Sequence, residues 1–229
     1  MWPPLKLLRK ASGVLRLYGH RFSSYTWKAL IALYVNETPF NFCGVGEGNE
    51  AADAFVAAAG PSGQFPVLAA GAVTVFEATS IIEYLDVHYP GSQRFVPADP
   101  TASVLVRMWD RVFDLHVMNV MQQAVAQKIR QPDSPIESAR DLVREPLLRS
   151  YRWIEGWLEL YLQRSAITLV ECAAAPSLFY ADWVIDIPDD CPRLKAWRAH
   201  LLALPAVAQC VDDARPFRHY FPLGAPDRD

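Results

Sequence analysis

Several things are scarce in this 229-residue sequence. Its four cysteines, Cys43, Cys172, Cys191 and Cys210, lie far apart and form no CxxC pair. A disulfide scaffold and a structural zinc site are therefore not expected, and reduced thiols in a cytoplasmic setting are. No HxxxH or HExxH pair occurs, and His88, His116 and His200 have no Ser, Cys or carboxylate partner at a recognisable spacing, so neither a metal site nor a catalytic triad has support. An excess of positive charge is also missing. The 22 Lys+Arg residues stand against 25 Asp+Glu, a formal net charge of -3, which offers no basic surface to neutralise phosphates and argues against a nucleic-acid partner. Long apolar runs are absent too: the most apolar stretch, AITLVECAAAPSLFYADWVI (166–185), is broken by Glu171, Pro176 and Asp182 and reads as a buried core helix, not a membrane span. The opening MWPPLKLLRK carries Lys6, Arg9 and Lys10 but leads into no apolar stretch of the secretory kind, so the chain is expected to stay inside the cell.

What is present is the material for a folded core. Hydrophobic residues make up 52% of the chain and charged ones 21%, which excludes wholesale disorder and suits one large or two small domains. Glycine divides the chain: nine of the eleven lie within residues 1–92, leaving only Gly156 and Gly224 beyond. Because glycine serves tight turns, a mixed α/β part is expected first and a helical part after it. The join is YPGSQRFVPADP (89–100), whose prolines and glycine break helices, giving domains at 13–90 and 101–229.

In the first part VLRLY (14–18) alternates like a short strand, and SYTWKALIALYVN (24–36) places Trp27, Leu30, Ile31 and Tyr34 on one helical face. PFNFC (39–43) is a second strand and AADAFVAAA (51–59) a second helix. FPVLAA and VTVF flank Gly71 as a hairpin before the helical ATSIIEYLDVHY (78–89). The order β-α-β-α-β-β-α specifies a thioredoxin-like layer with a right-handed crossover. Downstream, residues 101–130 and 137–163 are long helical patterns, the second interrupted by Pro146, and shorter ones follow at 169–185, 192–203 and 205–214. Thr168 and Glu171 have capping-box spacing at the start of one of them.

A thioredoxin-like domain followed by an all-helical one resembles the cytosolic glutathione S-transferases. The resemblance rests on LYGHRFSSYTWKALIAL (17–33), PSGQFPVL (61–68), FEATSIIEYLDVHYP (76–90), the ITLVECAAA helix start and CPRLKAWRAHLLALPAV (191–207), five segments in the family's order. The first is most similar to serine-type members, especially the zeta class with its paired serines, cysteine and following tryptophan. The resemblance implies that Ser23 hydrogen-bonds the glutathione sulfur, with Ser24 as substitute. Tyr25 stands where the zeta pattern has cysteine, so it is a further hydroxyl candidate, while a cysteine-dependent isomerase step loses its residue. A hydroxyl donor at a helix start favours the thiolate, the nucleophilic form of a thiol. Read without the family, Ser23 is an ordinary N-cap.

The same resemblance implies a cis peptide bond before Pro66 that presents the backbone of Val67 to the cysteinyl part of glutathione, with Gln64 reaching the glycyl end. Glu77 would face the γ-glutamyl ammonium, and the amides of the next helix would face its carboxylate. The family's serine at the following position is Ala78 here, which removes one hydrogen bond and leaves Thr79 or Ser80 to compensate. Without the family, Pro66 reads as an edge-strand proline and Thr79 as helix initiation.

The second domain is expected to form the electrophile pocket. Trp109, Phe113, His116, Met118 and Met121 lie on its first long helix, where core packing explains aromatic and methionine stripes equally well. The tail DDARPFRHYFPLGAPDRD is expected to pack over the surface, with Arg215, Arg218 and His219 either salt-bridged or holding an anion. The implied function is a cytoplasmic, homodimeric glutathione transferase with glutathione as co-substrate and no metal. Implied alternatives are a maleylacetoacetate-type isomerase and a non-catalytic relative that binds a partner protein or an apolar ligand.

Overall fold

The computed structural model describes residues 14–46, 48–161 and 166–229. The basic opening segment, MWPPLKLLRK, lies outside them. The first part runs β1 (Leu15–Gly19), α1 (Ser24–Val35), β2 (Phe40–Gly44), α2 (Glu50–Ala59), β3 (Val67–Ala70), β4 (Val73–Phe76), α3 (Ala78–His88). The sheet order is β2-β1-β3-β4, with β1 and β2 parallel and the other pairs antiparallel.

Alternation along the strands produces the layers. Leu15, Leu17, Leu68 and Ala70 join the main core with α1 and α3, whereas Tyr18, Val67 and Ala69 form a second cluster with Ala52 and Val56 of α2. Gly19 closes β1 where a Cβ would stand 2.7 Å from the Thr26 side chain, so only glycine lets the strand end tuck against the first turn of α1. The one-faced amphipathic helix expected at α1 is instead buried nearly all round, because α3, α7 and α9 pack on it; Tyr34 alone among the four predicted residues is half-buried.

The second part contains α4 (Pro100–Val112), a π-helical segment (Phe113–Met118), α5 (Asn119–Arg130), α6 (Ile136–Leu158), α7 (Leu169–Val184), α8 (Pro192–Ala203) and α9 (Pro205–Ala214). Two expectations change here. The pattern over 101–130 is not one uniform helix, because the π segment adds backbone between α4 and α5. Nor does Pro146 interrupt its helix: α6 continues through it, since Val143, Leu147, Tyr151 and Ile154 are all fully buried and their packing outweighs the missing amide. All sixteen residues of α7 are buried, as a core helix requires. Its start is the capping box read from sequence, with Glu171 Oε2 accepting from the Thr168 amide at 2.8 Å.

The connection after α3 is fixed at both ends. Asn36 donates to and accepts from the Gln93 backbone at 3.0 and 2.9 Å, and Asp86 accepts from the Phe95 amide at 3.0 Å. The tail forms a short 3-10 turn (Arg215–Tyr220) and then buries Phe221 and Leu223. Arg215 and Arg218 both pair with Asp229, so the salt-bridged alternative for the tail describes them.

Candidate functional site

Two clefts meet where the helical domain covers the ends of β1, β3 and β4. The first, of about 290 Å³, is walled by Gln64, Phe65 and Pro66 before β3, by Glu77 and Ala78 at the start of α3, and by Tyr25, Asp114 and Asn119 opposite. The Phe65–Pro66 peptide is cis. The strand that follows is interior, which removes the edge-strand reading of Pro66. Val67 lies opposite Tyr18 and Phe76 in the sheet and sends its side chain into the α2 cluster, so only its backbone is a candidate to meet a ligand.

Glu77 caps α3 with φ 67° and ψ 117°, in the left-handed half of conformational space that non-glycine residues rarely occupy. No side chain caps the helix, so the free amides of its first turn face the cleft without an internal acceptor. Uncapped amides beside a carboxylate are able to hold an anion next to a cation, as the two ends of an amino-acid group require.

The second cleft, of about 220 Å³, is entered from Ser23 and Ser24 and shares Phe65 with the first. Phe22, Met121, Val125, Tyr180 and Phe221 supply apolar walls, and Gln122 supplies an amide. The two readings of Ser23 are compatible: its Oγ accepts from the Thr26 amide at 3.2 Å as an N-cap, and its own hydrogen remains available to a ligand. Ser24 is buried, its Oγ 3.5 Å from Gln122 Nε2. Tyr25 faces the first cleft instead, where its hydroxyl donates to Asn119 Oδ1 at 2.5 Å. Burial, then Asp114, Glu77 and Asp110, push its pKa far up, so it is a neutral phenol whose hydrogen is already taken.

Between the clefts and the core lies a buried ionic cluster. Lys28 Nζ, on a fully buried side chain, donates to Asp110 Oδ1 at 2.8 Å, Asp114 Oδ2 at 2.6 Å and Thr79 Oγ1 at 3.0 Å, which uses all three of its hydrogens. Thr79 in turn donates to Asp110 Oδ2 at 2.8 Å. Thr79 therefore does not compensate for Ala78 in this arrangement, because its hydroxyl is committed inward; Ser80 is exposed. Burial raises the Asp114 pKa, Lys28 opposes that and Asp110 adds to it.

Sequence reading missed Asp114, Asn119 and Gln122, along with the tail residues over the second cleft. Asp110 and Asp114 carried a signal: two acids one turn apart among apolar residues, with a lysine in an otherwise apolar helix to pair with them. A larger depression of about 580 Å³ elsewhere is lined by Asp182, Asp186, Lys195, Arg198 and Arg228. Arg198 and Arg228 pair with Asp182, and Arg228 also with Asp186, so this charge is largely compensated internally. Among the described residues no group of three or more His, Cys, Asp or Glu side chains forms a metal site, and no helix is long and apolar enough to cross a membrane.

Comparison with known proteins agrees with this architecture. Residues 17–93 match the family model of the glutathione S-transferase N-terminal domain. A probable maleylacetoacetate isomerase of Vibrio cholerae is 27% identical over 213 residues, covering 88% of this chain and 97% of that protein. Glutathione transferase F7 of Populus trichocarpa superposes with a TM-score of 0.75 at 23% identity, over 87% of this chain and 99% of that one. The maleylacetoacetate isomerase of Anaeromyxobacter dehalogenans, solved with dicarboxyethyl glutathione and citrate bound, gives 0.67 at 20% identity over 94% of each chain. Residues 17–93 thus form a glutathione S-transferase N-terminal domain, and over most of its length the chain shares the fold of the glutathione transferases.

Proposed function

We propose that the protein is a glutathione transferase in which Ser23 stabilises the glutathione thiolate for attack on an electrophilic carbon. The observation that carries this reading is the shared Phe65 wall: a cleft suited to a small zwitterionic peptide opens beside an apolar cleft, with Ser23 at the second. Glutathione would lie with its γ-glutamyl carboxylate at the free amides of α3, its ammonium at Glu77, its cysteinyl backbone along Val67 and its glycyl end toward Gln64. The sulfur then reaches Ser23, or Ser24 in its place. The sulfur's electron pair forms the new C–S bond, the leaving group departs with the electron pair of the bond it loses, and the thiol proton goes to solvent.

Titration calorimetry with reduced glutathione tests the reading directly: binding between micromolar and low-millimolar is expected. No binding by folded protein would favour the competing view of a non-catalytic partner-binding relative, whose best argument is Ala78. The Ala78→Ser variant should bind glutathione about tenfold more tightly, since a hydrogen bond to a charged group contributes roughly 1.5 to 3 kcal/mol. An unchanged affinity would place the γ-glutamyl carboxylate elsewhere. The isomerase reading draws on the Vibrio cholerae relative and the Ser23-Ser24 start, against which stands Tyr25 in place of cysteine.

The proposal extends to a cytoplasmic, detoxifying homodimer. Val104, Leu105 and Met108 on α4, Leu115 beyond it and Val87 on α3 are exposed apolar side chains of the kind a partner copy covers. Met108→Asp should then shift the mass measured by light scattering from dimer to monomer at micromolar concentration; a monomeric wild type would remove the homodimer.

A further inference from the structure

We infer that a groove along the far flank of α5 is a further subsite for the electrophile, taking a hydrogen-bonding tail that ends in an anion. This rests on the glutathione reading above. The groove, of about 510 Å³, lies between α5 and the first half of α6, and α5 lines it with Asn119, Gln122, Gln123, Ala126, Gln127 and Arg130. Those residues follow one another at steps of three, one, three, one and three, so they share a single helix face. The adjoining flank of the same helix, Met121, Gln122, Val125 and Ile129, walls the second cleft. Gln122 belongs to both flanks, and Asn119 belongs also to the first cleft, so the groove joins both clefts at the first turn of α5.

The side chains in the groove are uncommitted and of matching chemistry. Asn119 Oδ1 is taken by the Tyr25 hydroxyl at 2.5 Å, which fixes the amide and leaves its two hydrogens for a ligand. Among the described residues, the side chains of Gln123, Gln127 and Arg130 make no hydrogen bond or ion pair. Arg130 is not spent on the helix end, because Lys128 Nζ already donates to the Pro132 and Ser134 carbonyls of the following turn at 2.6 and 2.5 Å. No acid lines the groove; Asp133 lies in that turn and Asp141 pairs with Arg144 at 3.4 Å, both outside the lining. A side-chain amide offers a donor and an acceptor without charge, so four of them along one face suit amide or hydroxyl groups, and the guanidinium beyond them suits an oxyanion. No aromatic side chain lines the groove, so nothing there favours a flat ring. From Gln122 to Arg130 the helix rises about 12 Å, which sets the length of the tail.

The test titrates the full chain by calorimetry with glutathione, with glutathione S-alkylated by an acetyl-tetraglycine chain, and with the same conjugate ending in a carboxamide. Four extended residues span at most about 13 to 14 Å, enough to reach Arg130 from Gln122. The acid conjugate should bind at least about tenfold more tightly than glutathione. The carboxamide should bind about threefold more weakly than the acid, a gap that closes at high salt. Arg130→Gln should erase that gap. Ala126→Phe, at a half-buried position on the groove floor, should return both conjugates to within about twofold of glutathione. Neither residue lines the first cleft, so glutathione itself should bind both variants as it binds wild type. If glutathione binds and the tail adds nothing, this inference fails alone. It fails equally if the tail's gain survives Ala126→Phe or the preference for the acid survives Arg130→Gln. If glutathione itself does not bind, the transferase reading fails first and takes this one with it.

Discussion

Replacing Ser23 with alanine is expected to lower turnover of an aryl halide by about 10- to 100-fold, roughly 1.4 to 2.7 kcal/mol in the barrier, while glutathione affinity stays within about twofold. The split follows from geometry: Ser23 lies in the second cleft, away from Glu77, Gln64 and the α3 amides that hold the peptide. Removing a donor to the thiolate raises the pKa of the bound thiol, so the defect should be largest near neutrality and shrink as the solution is made alkaline. The same serine caps α1, so Ser23→Ala should also lose about 1 kcal/mol of stability.

Ser23→Asp separates the two roles. Aspartate caps a helix as well as serine does, so thermal stability should return toward wild type, but its carboxylate repels a thiolate and turnover should stay low. Turnover that recovers along with stability would make Ser23 a cap alone. Turnover unchanged in Ser23→Ala would move the chemical role to Ser24, the neighbouring hydroxyl in the same cleft.

How far the sequence speaks for itself depends on the range of the interactions that shape each element. β1 through α3 were legible because period-two and period-3.6 patterns and turn glycines are local, and α7 because sixteen buried residues leave an unmistakably apolar run. Glu77 as a site residue and the cis Phe65–Pro66 bond were legible only through the family resemblance, and the positive φ of Glu77 not at all, since nothing local distinguishes them from any helix start or strand-edge proline. The π segment was hidden because it is a change in backbone winding within a pattern that stays helical; yet it begins at Phe113 and so includes both Asp114 and Leu115, which wall the first cleft. Pro146 misled in the opposite direction, as a strong local breaker overruled by buried neighbours. Lys28 shows the limit most plainly, because its carboxylate partners are 82 and 86 residues away in sequence and only the packing of α1, α4 and the π segment on α7 brings them together.

That cluster gives the largest expected effect on stability. Lys28→Met should cost about 3 to 5 kcal/mol, because it leaves Asp110, whose side chain is 1% exposed, and Asp114, at 21%, facing each other without a cation. For a chain of this size the melting temperature should fall on the order of 10 °C. Wild type already bears part of this burden, since the folded pKa of Asp114 is raised. A carboxyl group whose folded pKa exceeds its unfolded one favours folding fully below the unfolded pKa and loses that contribution as pH rises through the folded one. Without Lys28 the elevation grows, so the variant's deficit should be greater at about pH 8 than at about pH 5. Adding Asp110→Asn and Asp114→Asn should restore much of the loss, because the damage comes from stranded charge and not from the missing lysine stem. The function should follow the structure: Thr79, next to Ala78 in the first turn of α3, depends on Lys28 and Asp110 for its position. Lys28→Met should therefore weaken glutathione binding even below its melting point. A variant with wild-type affinity and a lowered melting temperature would confine the cluster to holding the domains together.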